Sequence, residues 1–379
     1  MAFPRNPSDA GAQIPPAERR HRARGRKARQ EEKPREKVRA GKDYSHQRMA
    51  WAIGIALVLV LVGILAAGYY QKFYHPPRVW AGSVRNVEFT MGDLVERIRI
   101  LQGLSGSVDL SVVPFEYLQE LLHAEILRQA APGLGINITD EDIQEALRSR
   151  FYPEVPEGDE TDPGQLDREF ENTYEIYLAR TGLSREEHRT TLEEQLQLRF
   201  LFSLLGLGIE DPQEQVEVEW IRTELTSELD FDAVRERLNS EDFAAVADEV
   251  AMPGAFAGPG GYVGWVPHGA FPSMDGLLFG DEESGGELLP VGGISTPLYL
   301  SEAVFIIHKV SGLETQELSP AMRNKLNVEL LEEWRNKQLQ LGGDEGWLKM
   351  NFDSDLYAWV ADQVAVSAPR NQPEQPESR

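Results

Sequence analysis

The stretch "GGYVGWV" at residues 260–266 decides our expectation of the fold, because it combines a glycine pair with a short run that ends in aromatic and β-branched residues. Glycine adopts positive φ without the steric cost of a Cβ atom. Gly260, Gly261 and Gly264 therefore suit a tight turn that leads into a strand. We expect these three glycines and Trp265 to be structural residues of a small domain.

The residues on both sides of this turn predict the rest of the domain. Residues 216–223 alternate between apolar and polar side chains and predict a strand. Phe231–Leu238 predicts a helix, and Ser240 is expected to cap a second one. Residues 303–310 predict the last strand. The order strand, helices, loop, strand indicates a small α+β unit over residues 214–312, here called the α+β segment.

Four stretches of this segment, taken together and in order, resemble the parvulin (rotamase) domain of peptidyl-prolyl isomerases. They are "FAAVADEV" at 243–250, "GGYVGW" at 260–265, "LLPVGGISTPL" at 288–298 and "FIIHKV" at 305–310. The resemblance covers nearly the whole of that domain and implies its fold.

Residues 79–210, here called the helical segment, show helix starts and apolar periodicity. Three pairs predict capping boxes, in which a hydroxyl and an acidic side chain three residues later close the first turn. The pairs are Thr90 with Asp93, Thr139 with Asp142 and Ser184 with Glu187. The stretches at 87–101 and 120–147 resemble the N-terminal chaperone domain of SurA-type proteins, which implies grooves between helices that hold unfolded chains.

The C-terminal part predicts further helices. Ser319 followed by Pro320 is a favourable helix start, and apolar residues then recur every four positions up to Trp334. We expect residues 317–366 to return and pack on the helical segment, as the closing helix of SurA/PrsA-type foldases does. The polar, Pro-rich residues 367–379 predict a disordered tail.

An apolar run near the N-terminus predicts a membrane helix over residues 49–71, which contain no charged side chain. The run matches the thickness of a bilayer, about 20 residues. Trp51 lies near one end and Tyr69 and Tyr70 at the other, where aromatic rings favour the interface. A cleaved signal peptide is the main rival, but the run is long for one, so we favour an uncleaved anchor.

The charge of the chain is distributed unevenly. Residues 1–50 carry a net charge of about +8, while the whole chain carries −24. Basic residues before the apolar run place the N-terminus in the cytoplasm and the C-terminal segments outside it. Residues 1–48 predict a disordered basic tail. The acidic remainder would repel phosphates, so nucleic acid is not expected as a partner.

Several kinds of chemistry find no support in the composition. The chain has no cysteine, which excludes disulfides, thiol catalysis and thiolate metal sites. No two of its histidines show the spacing of metal ligands, and we expect neither a metal nor a cofactor. His123 and His188 are isolated in the helical segment, and we interpret both as structural histidines.

The parvulin resemblance implies a proline pocket with two central histidines and an Asp or Cys. In this chain, the first histidine position falls on Trp220 and the second on Phe305 or Ile306. The Asp or Cys position falls within residues 251–253, which have no polar side chain. The polar part of an isomerase site is therefore expected to be missing.

The apolar part of the implied pocket is retained at Phe271 and Met274. Residues expected to bind substrate are Trp220, Phe271, Met274, Phe305 and Ile306. His308 and His268 are candidates to replace a lost catalytic histidine, although a surface or strand-edge role is the default for each. His308 follows Ile306 by two residues and is expected on the same strand face.

Three hypotheses follow for a fold of the α+β class with a membrane helix. In the first, the chain is a membrane-anchored extracytoplasmic folding factor that binds unfolded or newly exported proteins and has a degenerate isomerase site. In the second, it is an active peptidyl-prolyl isomerase that uses an apolar pocket alone. In the third, it is a non-catalytic membrane scaffold.

Overall fold

The computed structural model describes residues 43–106, 108–154, 162–254, 256–280, 287–301, 303–351 and 353–367. The two tails predicted to be disordered, 1–48 and 367–379, lie outside these ranges except at their inner ends. There the N-terminal prediction is wrong, because a helix begins at Asp43. The chain divides into two units, Met1–Ala66 and Ala67–Arg379.

The first helix, α1 (Asp43–Tyr69), continues into a short π-helical turn at Tyr70–Tyr74. Within the described ranges, one helix is long and apolar enough to cross a membrane by length and composition, and it covers Arg48–Tyr74. Its leucines and valines are exposed on every side. A helix that is apolar all round is compatible with lipid surroundings.

In its described residues, the helical segment begins with two antiparallel strands and continues as five α-helices. They are β1 (Trp80–Val84), β2 (Val87–Thr90), α2 (Met91–Ser105), α3 (Val113–Ala130), α4 (Asp140–Phe151), α5 (Pro163–Thr181) and α6 (Arg185–Gly206). All three predicted capping boxes are confirmed, at the starts of α2, α4 and α6. Each satisfies backbone N–H groups that a helix start leaves without an internal partner.

The α+β segment follows as an antiparallel sheet with three helices. Its elements are β3 (Gln213–Glu224), α7 (Phe231–Arg237), α8 (Phe243–Val250), β4 (Tyr262–Pro267), α9 (Pro272–Phe279), β5 (Leu298–Tyr299), β6 (Ala303–Lys309) and β7 (Glu314–Gln316). The strand order is β4-β3-β6-β5, and β7 pairs with the start of β3. Apolar side chains cover both faces of β3 and β6, so the centre of the sheet is buried on both sides.

One predicted cap in this segment is wrong. Ser240 does not start α8; the helix is capped by Asp242, whose carboxylate accepts a hydrogen bond from the Ala245 N–H at 3.3 Å. Ser240 instead ends the turn after α7, where its N–H donates to the Arg237 carbonyl. Serine and aspartate both favour the N-cap position, so the local sequence does not decide between Ser240 and Asp242. The packing of Phe243 in the core decides it.

The C-terminal part comprises α10 (Pro320–Asp344), β8 (Leu348–Met350) and α11 (Ser354–Ser367). Ser319 caps α10 as predicted, and β8 adds to β1 in a three-stranded sheet. However, α10 does not pack on the helical segment alone. Met322 and Leu326 belong to the core of the α+β segment, while Leu331 packs with residues of the helical segment. The helix therefore joins the two cores.

His188 is a structural residue, as the sequence predicts. It is buried on α6, and its Nδ1 lies 2.9 Å from the Tyr174 hydroxyl. The rings of Phe151 and Tyr177 surround it. Burial lowers the pKa of His188, and the nearby positive charge of Arg150 lowers it further.

This lowered pKa predicts a pH dependence of stability. The unfolded chain takes up the His188 proton first on acidification, so stability falls below pH about 6.5 and levels off once the folded form is also protonated. We expect the His188→Gln variant to lose less unfolding free energy than the parent between pH 7 and pH 5, measured by urea denaturation. The same substitution at the exposed His75 serves as the control. An equal loss of unfolding free energy in the parent and in His188→Gln would contradict the prediction.

Candidate functional site

The glycine turn before β4 lies directly against the strand that carries Trp220. Gly260 and Gly261 have φ of 69° and 73°. A Cβ atom on Gly261 would lie 2.5 Å from the Trp220 carbonyl oxygen. Positive φ and this close approach together require glycine at this position. The tight turn lets β4 pair with β3.

One face of the sheet carries a cluster of aromatic rings. Trp220 of β3 packs edge-on against Phe271, with ring centroids 5.2 Å apart, and against Phe305 of β6 at 5.6 Å. Phe256 meets Phe271 in the same perpendicular manner, also at 5.2 Å. Perpendicular contacts suit the quadrupoles of aromatic rings and give the cluster a defined shape.

Beside this cluster lies an open cavity of about 570 Å³ between the α+β segment and α10. The apolar part of its lining comes from α9, the end of β5 and β6. The lining residues are Arg222, Phe271, Pro272, Ser273, Met274, Tyr299, Leu300, Ser301, Ala303, Phe305, Lys325 and Glu329. Its size, and a wall that combines aromatic and aliphatic side chains with polar ones, suit a few residues of an extended peptide.

The structure brings together three of the five residues expected to bind substrate. Phe271, Met274 and Phe305 line the cavity. Trp220 does not reach it, because this side chain is 3% exposed and lies beneath the two phenyl rings as their support. Ile306 is also misplaced by the sequence prediction: it is fully buried on the opposite face of the sheet, opposite Ile221.

Neither histidine candidate lines the cavity. His308 lies on the same strand face as Ile306, as predicted, but that face points away from the aromatic cluster. Its Nδ1 is 2.9 Å from a carboxylate oxygen of Glu219. His268 is 57% exposed, with its Nε2 3.9 Å from Asp275. Among the residues that the structure describes, the lining therefore contains no histidine, aspartate or cysteine.

Sequence reasoning missed several polar residues of the lining. Arg222 follows Trp220 by two positions, so the period of a strand places it on the aromatic face. This spacing is a signal that would have found it. Lys325 and Glu329 belong to α10 and form an ion pair across the cavity from the sheet. They are far from the strands of the sheet in the sequence, so no local pattern indicates that they line the cavity.

Lys309 of β6 is an unusual buried cation behind the cluster. It is 5% exposed, and its Nζ donates to the Leu278 carbonyl at 2.6 Å. Burial lowers its pKa. The contact ties the end of α9 to the sheet. Lys309 is not among the lining residues of the cavity and takes no part in the site.

A second cavity, of about 220 Å³, lies within the helical segment and against α10. His123 lines it, and neither ring nitrogen has a hydrogen-bond partner within the described part of the chain, although Nδ1 lies 3.9 Å from a carboxylate oxygen of Glu120. The interpretation of His123 as a structural residue stays a prediction. Ion pairs of Arg97 with Glu194 and of Arg335 with Glu120 border the same space.

Comparison with known proteins gives structural neighbours only, because no protein-family profile and no curated protein matches the sequence. The peptidylprolyl isomerase PrsA of Bacillus anthracis aligns with 16% identity and a TM-score of 0.38, over 62% of this chain and 100% of that one. The foldase PrsA of Streptococcus pneumoniae aligns with 12% identity and a TM-score of 0.28, over 76% and 94%.

A SurA-like chaperone structure from Campylobacter jejuni aligns with 13% identity and a TM-score of 0.24, over 73% of this chain and 100% of that one. The structural neighbours are thus foldases of the PrsA and SurA-like type. At these low scores, they establish neither the arrangement of the segments nor an activity.

Proposed function

We propose that this chain is a membrane-anchored, extracytoplasmic protein-folding factor that binds apolar segments of unfolded proteins and has lost the polar part of a parvulin isomerase site. The observation that carries the proposal is the cavity beside the aromatic cluster. Its wall retains Phe271, Met274 and Phe305, while the described part of its lining has no histidine, aspartate or cysteine. Such a site offers contacts to apolar side chains, and its described residues do not include the histidines and the Asp or Cys that the parvulin resemblance implies.

Aromatic and methionine side chains suit a binder of varied clients. A methionine adapts its shape through several rotatable bonds, and large rings contribute much contact area at little cost in conformational entropy. The motif resemblance to parvulin and SurA-type domains supports the same role. The strongly acidic composition of the chain, net charge −24, would keep such a binder soluble when it carries an aggregation-prone client.

The apolar helix supports the membrane part of the proposal. Residues 49–71 hold no charge, and the basic residues that precede them outnumber Lys72 and Arg78, which closely follow. This bias favours a cytoplasmic N-terminus and places the α+β and helical segments outside. Unfolded, newly exported proteins would be the clients available there.

The experiment compares client protection and proline isomerisation by the full-length chain in detergent. We expect it to suppress aggregation of a denatured model protein and not to accelerate isomerisation of a chromogenic Xaa-Pro peptide. Phe271→Ala removes a contact worth about 1.5–3 kcal/mol. We therefore expect this variant to need about tenfold or more protein for the same suppression, measured by light scattering.

Phe200→Ala is the matched control, because Phe200 is an exposed phenylalanine of the helical segment. Circular dichroism melting would establish that Phe271→Ala is folded. Acceleration of isomerisation that is lost in Phe271→Ala would instead support an active isomerase with an apolar site. Protection of one specific partner but of no other unfolded protein would support a scaffold.

A further inference from the structure

Arg222 places a positive charge at the edge of the apolar cavity. It lies on β3 directly opposite Phe305 of β6 in the antiparallel register, so both side chains leave the same face of the sheet. Both residues line the cavity. The Arg222 side chain is half-buried, and its Cδ would be 3.5 Å from a Cβ atom on Gly254.

The guanidinium of Arg222 makes no ion pair and no hydrogen bond with the described part of the chain. Arg237 of the same segment, by contrast, pairs with Glu241 and Glu249. A half-buried guanidinium next to apolar walls gains from an anionic ligand, because water screens the attraction only in part.

The opposite wall does not compensate this charge. Lys325 of α10 lies 5.3 Å from the centre of the Phe271 ring and is paired with Glu329. The lining residues that the structure describes therefore include two cations and one carboxylate, and that carboxylate is already paired with Lys325. The hydroxyl groups of Ser301 and Tyr299 add donors on the same rim. The cavity combines an apolar floor with an electropositive edge.

We propose that Arg222 makes this cavity selective for client segments in which an acidic side chain adjoins a proline or another apolar residue. This inference rests on the proposed function and names its substrate class. The apolar residue occupies the wall of Phe271, Met274 and Phe305. The neighbouring carboxylate accepts two parallel hydrogen bonds from the Arg222 guanidinium, the geometry that arginine offers and lysine does not.

The test uses the full-length chain in neutral detergent and fluorescent hexapeptides with blocked ends. The peptides differ only at the residue before proline, which is Glu, Gln or Lys. We expect the Glu-Pro peptide to bind about tenfold more tightly than the Gln-Pro peptide in fluorescence polarisation. The Lys-Pro peptide should bind most weakly, and the preference for Glu should shrink as salt is raised.

Arg222→Gln should abolish the preference for Glu-Pro, so that the Glu-Pro and Gln-Pro peptides bind this variant equally. Arg222→Lys should retain only part of it, because the charge remains and the paired hydrogen bonds do not. Arg235→Gln is the matched control: Arg235 is an exposed arginine of α7, a helix that packs on the other face of the sheet. This variant makes the same change in net charge and should keep the preference.

Four outcomes would overturn the inference. Equal binding of Glu-Pro and Gln-Pro, with both weakened by Phe271→Ala, would refute the charge selectivity and leave the proposed function standing. A preference that survives in Arg222→Gln would place the anion elsewhere. If the Gln-Pro peptide binds tenfold more tightly only when its C-terminal carboxylate is unblocked, Arg222 binds the carboxylate at a chain end and not an acidic side chain. Absence of binding by every peptide would refute the proposed client site as well.

Discussion

Two arginines in the middle of α1, in the Val58→Arg/Val62→Arg variant, should release the protein from the membrane. Each arginine at the centre of a membrane helix costs about 2.5–3.5 kcal/mol of insertion free energy, so the pair costs roughly 6 kcal/mol. Each apolar residue of the helix contributes only about 0.3–0.6 kcal/mol. The two charges therefore offset most of what an apolar run of about 20 residues supplies. Extraction of membranes at alkaline pH measures the result.

The control places the same two charges at the ends of the helix, in the Met49→Arg/Gln71→Arg variant. Long basic side chains at the ends reach the polar interface, so this protein should stay in the membrane fraction. Retention of Val58→Arg/Val62→Arg in the membrane pellet to the same extent as the control would show that α1 is not what holds the protein there.

Gly261→Ala should destabilise the α+β segment by about 2–5 kcal/mol. The backbone at this position has φ of 73°, where an L-residue with a Cβ costs about 1–2 kcal/mol. In addition, the new methyl group would lie 2.5 Å from the Trp220 carbonyl oxygen and 3.1 Å from the Cβ of Ala247. Overpacking of this kind costs about 1–3 kcal/mol more, and two backbone segments would have to separate.

Gly292→Ala separates the two causes. Gly292 has φ of 75°, nearly the same as Gly261, but a Cβ atom there has no heavy atom within 4 Å. This variant should lose only the conformational contribution of about 1–2 kcal/mol. Denaturant unfolding, followed by tryptophan fluorescence, compares the two. Equal losses would mean that the turn does not press against β3 as closely as the structure has it.

The helix starts were the most predictable feature of the fold. Thr90, Thr139 and Ser184 form capping boxes with residues three positions ahead, and Ser319 caps α10. A cap depends on hydrogen bonds within one turn, so the local sequence contains all of its partners. Ser240 failed as a prediction because Asp242 competes two residues later.

The candidate site was predictable only in part. Phe271, Met274 and Phe305 line the cavity, but Ile306 does not. The sequence left the choice between Phe305 and Ile306 open, because a shift of one residue moves a strand side chain to the other face. The register with β3 settles it by placing Phe305 opposite Arg222. Trp220 does lie on the face of the sheet that carries the cluster, but the sequence did not show that it would be buried beneath the two phenyl rings.

The sequence alone determined the local features of the fold. These are the apolar run of α1, the glycine turn before β4 and the alternation of apolar and polar side chains in β3. These depend on interactions among residues a few positions apart, which the order of residues specifies directly. Only the tertiary structure decided that α10 joins both cores and brings Lys325 and Glu329 over Phe271, opposite Arg222. Such contacts join residues that are distant in the sequence, and they depend on how whole elements pack rather than on any local pattern.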